Sequence, residues 1–320
     1  MRGRRSTPPG EHRPVLLDEV LAALAPADGA VVVDCTVGWG GHAVVLLRRA
    51  GPAGRLIGMD LDPDHLPRAR ERLEAVGFPF ALHHGNFAGL PAILAAEGVP
   101  AVDRLIADLG MSSMQVDDTE RGFSYVRDGP LDMRMDRTRG RTAADLLATI
   151  SREELAGALR ELGDEPAANR VAGLLVEAAR RGELKRTTDV ARLLTEAAGP
   201  GEPGRVGARR KSWRPHAGPG RWESHPAART FQTLRILVNR ETANLEHLLR
   251  VLPDVLRPGG RAAVISFHSG EDRRVKAAFR AGRDAGVYAE VSAEPIRPTF
   301  AERAANPRSR SAKLRWARRA

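Results

Sequence analysis

Gly38, Gly40 and Gly41 fall between an apolar run that ends in acid, Val31–Asp34 (VVVD), and an apolar, helix-compatible segment that starts at Ala43. Glycine lets a backbone approach a ligand closely, and the free N–H groups of a helix start favour polar or anionic groups. Two more acids stand where later apolar runs stop, Asp60 after RLIGM and Asp108 after DRLIA. Gly38-x-Gly40-x-x-Ala43, with Asp60 about 20 residues on, fits a dinucleotide fingerprint in which the acid binds a ribose. A nicotinamide dehydrogenase and an S-adenosylmethionine enzyme share this geometry and differ in what the loop must hold. A dinucleotide brings a pyrophosphate to the helix start. S-adenosylmethionine brings a carboxylate, a sulfonium and an ammonium, and Asp34 and Asp108 would suit the cations while a pyrophosphate site would avoid them.

These residues need a scaffold that presents strand ends side by side. Val31–Asp34, Arg55–Asp60, Phe80–His84 and Asp103–Leu109 read as strands, with helices over Val15–Leu24, the segment from Ala43 and His65–Ala75. That alternation predicts an α/β fold, a parallel sheet with helices on both faces and a ligand at the carboxyl edge. From Gly110 to Met135 no periodicity is evident, and 142–198 reads as helix almost throughout. The expected organisation is a disordered 1–11, a cofactor domain of 12–113 and 228–320, an inserted all-helical substrate-recognition subdomain at 114–198, and a flexible Gly/Pro/Arg-rich loop at 199–227. Ala228–Leu252 reads as one long helix, Gly260–Phe267 as a strand, and Asp272–Ala281 as a helix. The last twenty residues read as an extended basic arm.

The 320 residues carry a net charge of +10, concentrated in two stretches. Arg205–Arg221 holds six basic residues and no acid, and Arg297–Ala320 holds eight against Glu302 alone. A body near neutrality with two basic arms fits a polyanion, since phosphate neutralisation is the main non-specific attraction to nucleic acid. The bland reading is an arginine-rich composition, 46 Arg against four Lys, on solvated surfaces. The single cysteine, Cys35, excludes an internal disulfide and reads as a small buried hydrophobe. No apolar run reaches the ~20 residues of a membrane span, and the basic N-terminus lacks a signal-peptide apolar core, so a cytoplasmic location is expected. His83 and His84 are adjacent on a strand and face opposite ways, so no metal site is expected there.

Longer motifs narrow the reading. They are His12-x-Pro14-Val15-Leu16-Leu17, Asp34-Cys35-Thr36 with Gly38-x-Gly40-Gly41-His42, Gly85-Asn86-Phe87, and Asp108-Leu109-Gly110-x-Ser112-Ser113-x-Gln115. Glu120–Ser124, Asp128–Asp136, HPAARTFQTLRILVN at 225–239, ISFHSGEDR at 265–273 and NPRSRSAKLR at 306–315 follow. In these blocks the chain resembles the bacterial 16S ribosomal RNA cytosine-N4 methyltransferase family, also called MraW or RsmH. It departs from the family pattern at Met114, Ala228 and Gly270.

The resemblance implies a Rossmann-like, S-adenosylmethionine-dependent enzyme that methylates the exocyclic N4 of a cytidine in the decoding region of small-subunit RNA. Carried over by position, the cofactor contacts would be Gly40, Gly41, His42, Asp60, Phe87, Asp108 and Gln115. Cytosine N4 is a poor nucleophile because its lone pair is delocalised, so an acceptor beside its hydrogens would help, and Asp108 is the candidate. Ser112, Ser113, Asp132, Arg134, Asp136 and His268 would line the substrate pocket, and Arg308, Arg310, Lys313 and Arg315 would meet RNA. Many amino-methyltransferases end this strand in Asp/Asn-Pro-Pro-aromatic, whereas here it ends Asp108-Leu109-Gly110-Met111. Ser266, His268, Glu271 and Asp272 tempt a hydrolase reading but lack a nucleophile elbow. A nicotinamide oxidoreductase and a non-catalytic RNA-binding assembly factor are the rival readings.

Overall fold

The computed structural model describes residues 14–197 and 225–320. The expectations for 1–11, for His12 and for the basic stretch Arg205–Arg221 lie outside the described residues. The chain packs as two compact units, Met1–Met111 with Glu241–Ala320, and Ser112–Arg240.

In the first unit α1 (Leu17–Leu24) precedes β1 (Val31–Asp34), α2 (Gly41–Ala50), β2 (Arg55–Asp60), α3 (Leu66–Glu74), β3 (Phe80–His84), α4 (Leu90–Ala96) and β4 (Val102–Asp108). The second unit contributes α5 (Ser113–Asp117), α6 (Ala143–Thr149), α7 (Arg152–Gly163), α8 (Ala168–Arg180), α9 (Thr187–Ala197) and α10 (Ala228–Asn239). The chain returns with α11 (Glu241–Val255), β5 (Leu256–Ser266), α12 (Ser269–Asp284), β6 (Tyr288–Val291), α13 (Phe300–Ala305) and β7 (Lys313–Arg319).

The strand order is β3-β2-β1-β4-β5-β7-β6. The first five strands run parallel and β7 lies antiparallel between β5 and β6. Period-two alternation sends Val32, Leu56, Ile106 and Ile265 to the face covered by α1, α2 and α3. It sends Val33, Ile57, Leu105 and Val264 to the face covered by α4, α11 and α12. Strands buried on both faces read as continuous apolar runs, which is why the sequence signals them well. The order reverses between β1 and β4, so the crevice beyond their carboxyl ends is the expected ligand position.

Three expectations change. The long helix Ala228–Leu252 is two helices, because Arg240 takes a left-handed conformation (φ 53°) and stops α10. α10 packs on α6 and α7, which moves the unit boundary from residue 228 to Arg240. The terminal segment is no arm, since β7 pairs with strands on both sides.

The helical unit is held by local chemistry. Ser112, Thr142 and Ser151 each close a capping box, with Gln115, Asp145 and Glu154 answering from the third helical position. Asn239 clamps the irregular 132–136 loop, donating to Met133 O and accepting from Met135 N, both at 2.8 Å. Among the described residues no helix is long and apolar enough to cross a membrane, and no group of His, Cys, Asp or Glu could hold a metal ion.

Candidate active site

Asp34, Asp60 and Asp108 are the last residues of β1, β2 and β4, and parallel pairing lines up those ends at one edge of the sheet. Thr36 ties two of them together: its N–H donates to Asp34 Oδ1 at 3.0 Å and its hydroxyl accepts from Asp108 N at 2.7 Å. Sequence reasoning quoted Thr36 only as part of a motif. Its hydroxyl links the β1 turn to the β4 end.

The glycine turn closes on Asp60. Gly38 N donates to Asp60 Oδ2 at 2.7 Å, and Asp60 Oδ1 accepts from Asp62 N at 2.8 Å with His65 Nδ1 3.3 Å away. Those contacts fix the carboxylate and leave about one of its roughly four lone-pair sites for a ligand hydroxyl. Gly40 adopts φ 81°, a backbone conformation that side chains resist, and α2 begins at the next residue. At Gly41 the constraint is space, because a Cβ there would stand 2.8 Å from Pro14 Cγ. Gly41→Val should therefore displace the Pro14–Leu16 entry, cost roughly 1–3 kcal/mol by overpacking, and weaken cofactor binding; thermal melting and calorimetry check both.

His42 is buried, with Nε2 2.9 Å from Val15 O and Nδ1 3.8 Å from Asp108 Oδ2. Phe87 opens a short turn capped by Asn86, whose side chain accepts from Ala88 N at 2.8 Å. That turn follows β3, whose last residue His84 pairs with Asp60. Phe87 is half-buried and packs against the core on the α4, α11 and α12 face of the sheet.

The electrostatics single out Asp108. Its side chain keeps 24% of its surface, yet Oδ1 is sealed and has no hydrogen-bond partner among the described residues. Burial, then the negative charges of Asp34 and Glu271, push its carboxyl up to about 8. Asp34 is raised to about 7, by burial first and by Asp60 after it, against the lowering effect of the Thr36 N–H. Such an acid cluster opposes a pyrophosphate and accommodates a cation, which would return the carboxyls to their charged forms. Glu271, which the sequence offered only within the hydrolase-like cluster, adds negative charge beside Asp108. Its Oε2 accepts from Phe267 N at 2.9 Å, and it forms a capping box with His268 at the start of α12.

His268 follows the carboxyl end of β5, its Nε2 3.2 Å from Glu271 Oε1. Lys313 stands opposite Ser266 at that same end. Lys313 Nζ and Arg315 Nε both reach Asp272, at 3.2 and 2.7 Å. Arg315 is buried, so it is an ion-pair partner inside the sheet and not the exposed phosphate contact expected of a tail. Arg308 and Arg310 are exposed on the Pro307–Ser311 turn.

The other expected site residues belong to the helical unit. Gln115 is buried, and its Oε1 accepts from Ser112 N at 2.9 Å, while Ser113 is the first residue of α5. Asp132 forms a two-point pair with Arg134, 2.7 Å from Nε and 2.9 Å from Nη2. Asp136 holds Thr138 N at 3.0 Å and Arg139 Nε at 2.6 Å. Both carboxylates are thus engaged in shaping their own loop.

The whole sequence has close relatives. The model of the MraW methylase family matches residues 10–320. A protein named Ribosomal RNA small subunit methyltransferase H from Geobacter sp. (strain M21) is 43% identical over 321 residues, covering 95% of this chain and 97% of its own. The protein of that name from Sorangium cellulosum is 46% identical over 314 residues, covering 98% and 92%. A third, from Halorhodospira halophila, is 45% identical over 323 residues, covering 96% and 94%. With a strand-end acid cluster that suits a cationic ligand and a family match over nearly its whole length, the chain belongs to the MraW methylase family.

Proposed function

We propose that this chain is an S-adenosylmethionine-dependent methyltransferase of small-subunit ribosomal RNA, and that its target is the exocyclic N4 of a cytidine in the decoding region. The RNA class follows the relatives' names, and the N4 target follows the family resemblance of the motifs. The observation that carries the chemistry is the row of carboxyls ending β1, β2 and β4 beside the glycine turn. S-adenosylmethionine supplies, when bound, an electrophilic methyl group on a cationic sulfur.

Each residue has a task that its environment supports. The Gly40–His42 backbone receives the methionine end, and His42 is held for it by Val15 O. Asp60, fixed by Gly38 and Asp62, accepts from a ribose hydroxyl. Phe87 offers an apolar face to adenine, and Gln115 completes the cofactor contacts. Asp108 accepts from the substrate amino group and takes the proton that nitrogen sheds as its new bond to carbon forms. A positioned base is effective in such a transfer; burial and the charges of Asp34 and Glu271 hold the Asp108 carboxyl above its usual range in the ligand-free chain, and the cationic cofactor favours its charged, proton-accepting form. Ser112, Ser113 and His268 are assigned to the substrate, Asp132, Arg134 and Asp136 act on it only through the loop they hold, and Arg308 and Arg310 contact RNA.

The test is transfer of a labelled methyl group to small subunits from cells lacking this gene, followed by mapping of the modified base. N4-methylcytidine at one decoding-region position is the expected product. Label on another base or atom would overturn the assignment. RNA binding without transfer would favour the assembly factor, and tight NAD binding without S-adenosylmethionine binding would favour the oxidoreductase.

A further inference from the structure

A second basic feature lies on the first unit, where α12 packs beside β6 and β7. A concavity of about 220 Å³ is lined there by Lys276, Phe279, Arg280, Arg283, Val291, Ser292, Ala293 and Arg315, with no acid in its wall. Lys276, Arg280 and Arg283 follow the helical 4-3 spacing, so they form one stripe along α12. All three are exposed. The stripe spans about 10 Å at 1.5 Å per residue, enough for two or three successive phosphates of one strand.

The charges are only partly neutralised locally. Asp284 on the rim serves both Arg283, at 3.0 Å, and Arg280, at 3.8 Å. Asp272 likewise serves both Arg315 and Lys313. Glu290 of β6 is taken by Arg318 at 3.3 Å. Lys276 has no acidic partner among the described residues. A concave wall that gathers like charges and leaves them under-paired is stabilised by an anion of matching shape. Val291, which is only partly buried, adds an apolar contact to the wall that suits the carbon face of a sugar.

We propose that this α12 groove binds the phosphodiester backbone of the RNA substrate, as a contact separate from the methyl-transfer site. The proposal rests on the reading that the substrate is RNA. It assigns affinity, and not sequence choice or chemistry, to Lys276, Arg280 and Arg283, because phosphate contacts position an RNA without reading its bases.

The experiment compares the full chain with the triple variant K276Q/R280Q/R283Q and with a control, R48Q/R49Q, at exposed arginines of α2. Binding of a decoding-region RNA fragment and of a mixed-sequence single strand is measured across a salt series. Each lost phosphate contact on a single strand lowers the slope of log affinity against log salt by about 0.7. The triple variant should lose about two units of slope and bind both RNAs at least tenfold more weakly near 0.15 M salt. Its S-adenosylmethionine affinity and its kcat at saturating RNA should stay unchanged while its KM rises.

Wild-type affinity and slope in the triple variant would overturn the proposal, as would an equal loss per charge in the control. Saturable binding of pyrophosphate that the triple variant loses, with RNA binding intact, would reassign the groove to a free anion and also overturn it. These readouts need no turnover. Failure of the wild-type chain to methylate RNA would therefore sink the functional reading while leaving this measurement interpretable.

Discussion

Asp108→Asn lowers methyl transfer by about a hundredfold, the ordinary size of a lost general base, and at the same time makes the ligand-free protein more stable at alkaline pH. Asparagine keeps the shape of the side chain and an acceptor oxygen but cannot take a proton. In single-turnover measurements with both substrates saturating, the chemical step slows, and the pH dependence that Asp108 imposes on cofactor binding is lost with its proton. The stability gain has the same origin. The Asp108 carboxyl titrates near 8 in the folded chain, well above its ordinary 3.8, so the native state holds a proton that the unfolded chain releases. Its contribution is fully present below about pH 4 and is lost as pH rises through 8. The variant has no such loss, so its Tm advantage should widen from pH 4 to 8 and then level off.

Asp34, titrating near 7, adds a second downward slope that both proteins share. A cationic cofactor reverses this preference. Its affinity for the wild-type chain should therefore climb between pH 6 and 8 and climb less in the variant. A variant that keeps full turnover would remove Asp108 from the reaction. A variant that loses turnover and stability together would make it structural.

The sequence exposed the front of the sheet and concealed its back. Val31–Asp34, Arg55–Asp60 and Phe80–His84 are short apolar runs closed by acid or turn residues, and their boundaries coincide with β1, β2 and β3. The glycine turn was legible for the same local reason, since Gly40 needs a positive φ and Gly41 needs room. Features decided by distant contacts were not. Arg240 carries no helix-breaking signal, and the apolar periodicity runs on through it, yet there the chain leaves one unit for the other. Asp132 and Asp136 look like pocket acids in sequence, and although their partners Arg134 and Arg139 stand only two and three positions on, no helical or strand period there signals the pairing. Thr36 and Glu271 matter through β4 and the β5–α12 turn, and only folding brings those together.

The carboxyl terminus is where this difference has its largest consequence. Read as a basic arm, residues after Asn306 should be removable, with RNA binding weakened and cofactor binding spared. In the structure the same truncation removes β7, whose Lys313–Arg318 stretch is registered against Ser266–Arg261 of β5 while its other side holds β6. Leu314 and Ala317 are fully buried, one against each face. Losing β7 bares one side of β5 and strands β6, which among the described residues has no other strand partner. Each buried backbone group left unpaired costs about 1–3 kcal/mol, so a few of them approach the whole 5–15 kcal/mol that keeps a domain folded.

The Asp272 carboxylate compounds the damage. Its burial favours the neutral form, and hydrogen bonds from Arg315 and Lys313 hold it below the usual range instead. Both partners leave with the strand. The expected result is a chain that is insoluble or molten, without cooperative melting and without measurable S-adenosylmethionine binding. Neutralising Arg308 and Arg310, which are exposed and precede β7, should leave Tm and cofactor affinity unchanged and lower only RNA affinity. A truncated chain that melted cooperatively and bound cofactor would show that the β5 edge tolerates exposure, and would restore the tail as a detachable arm.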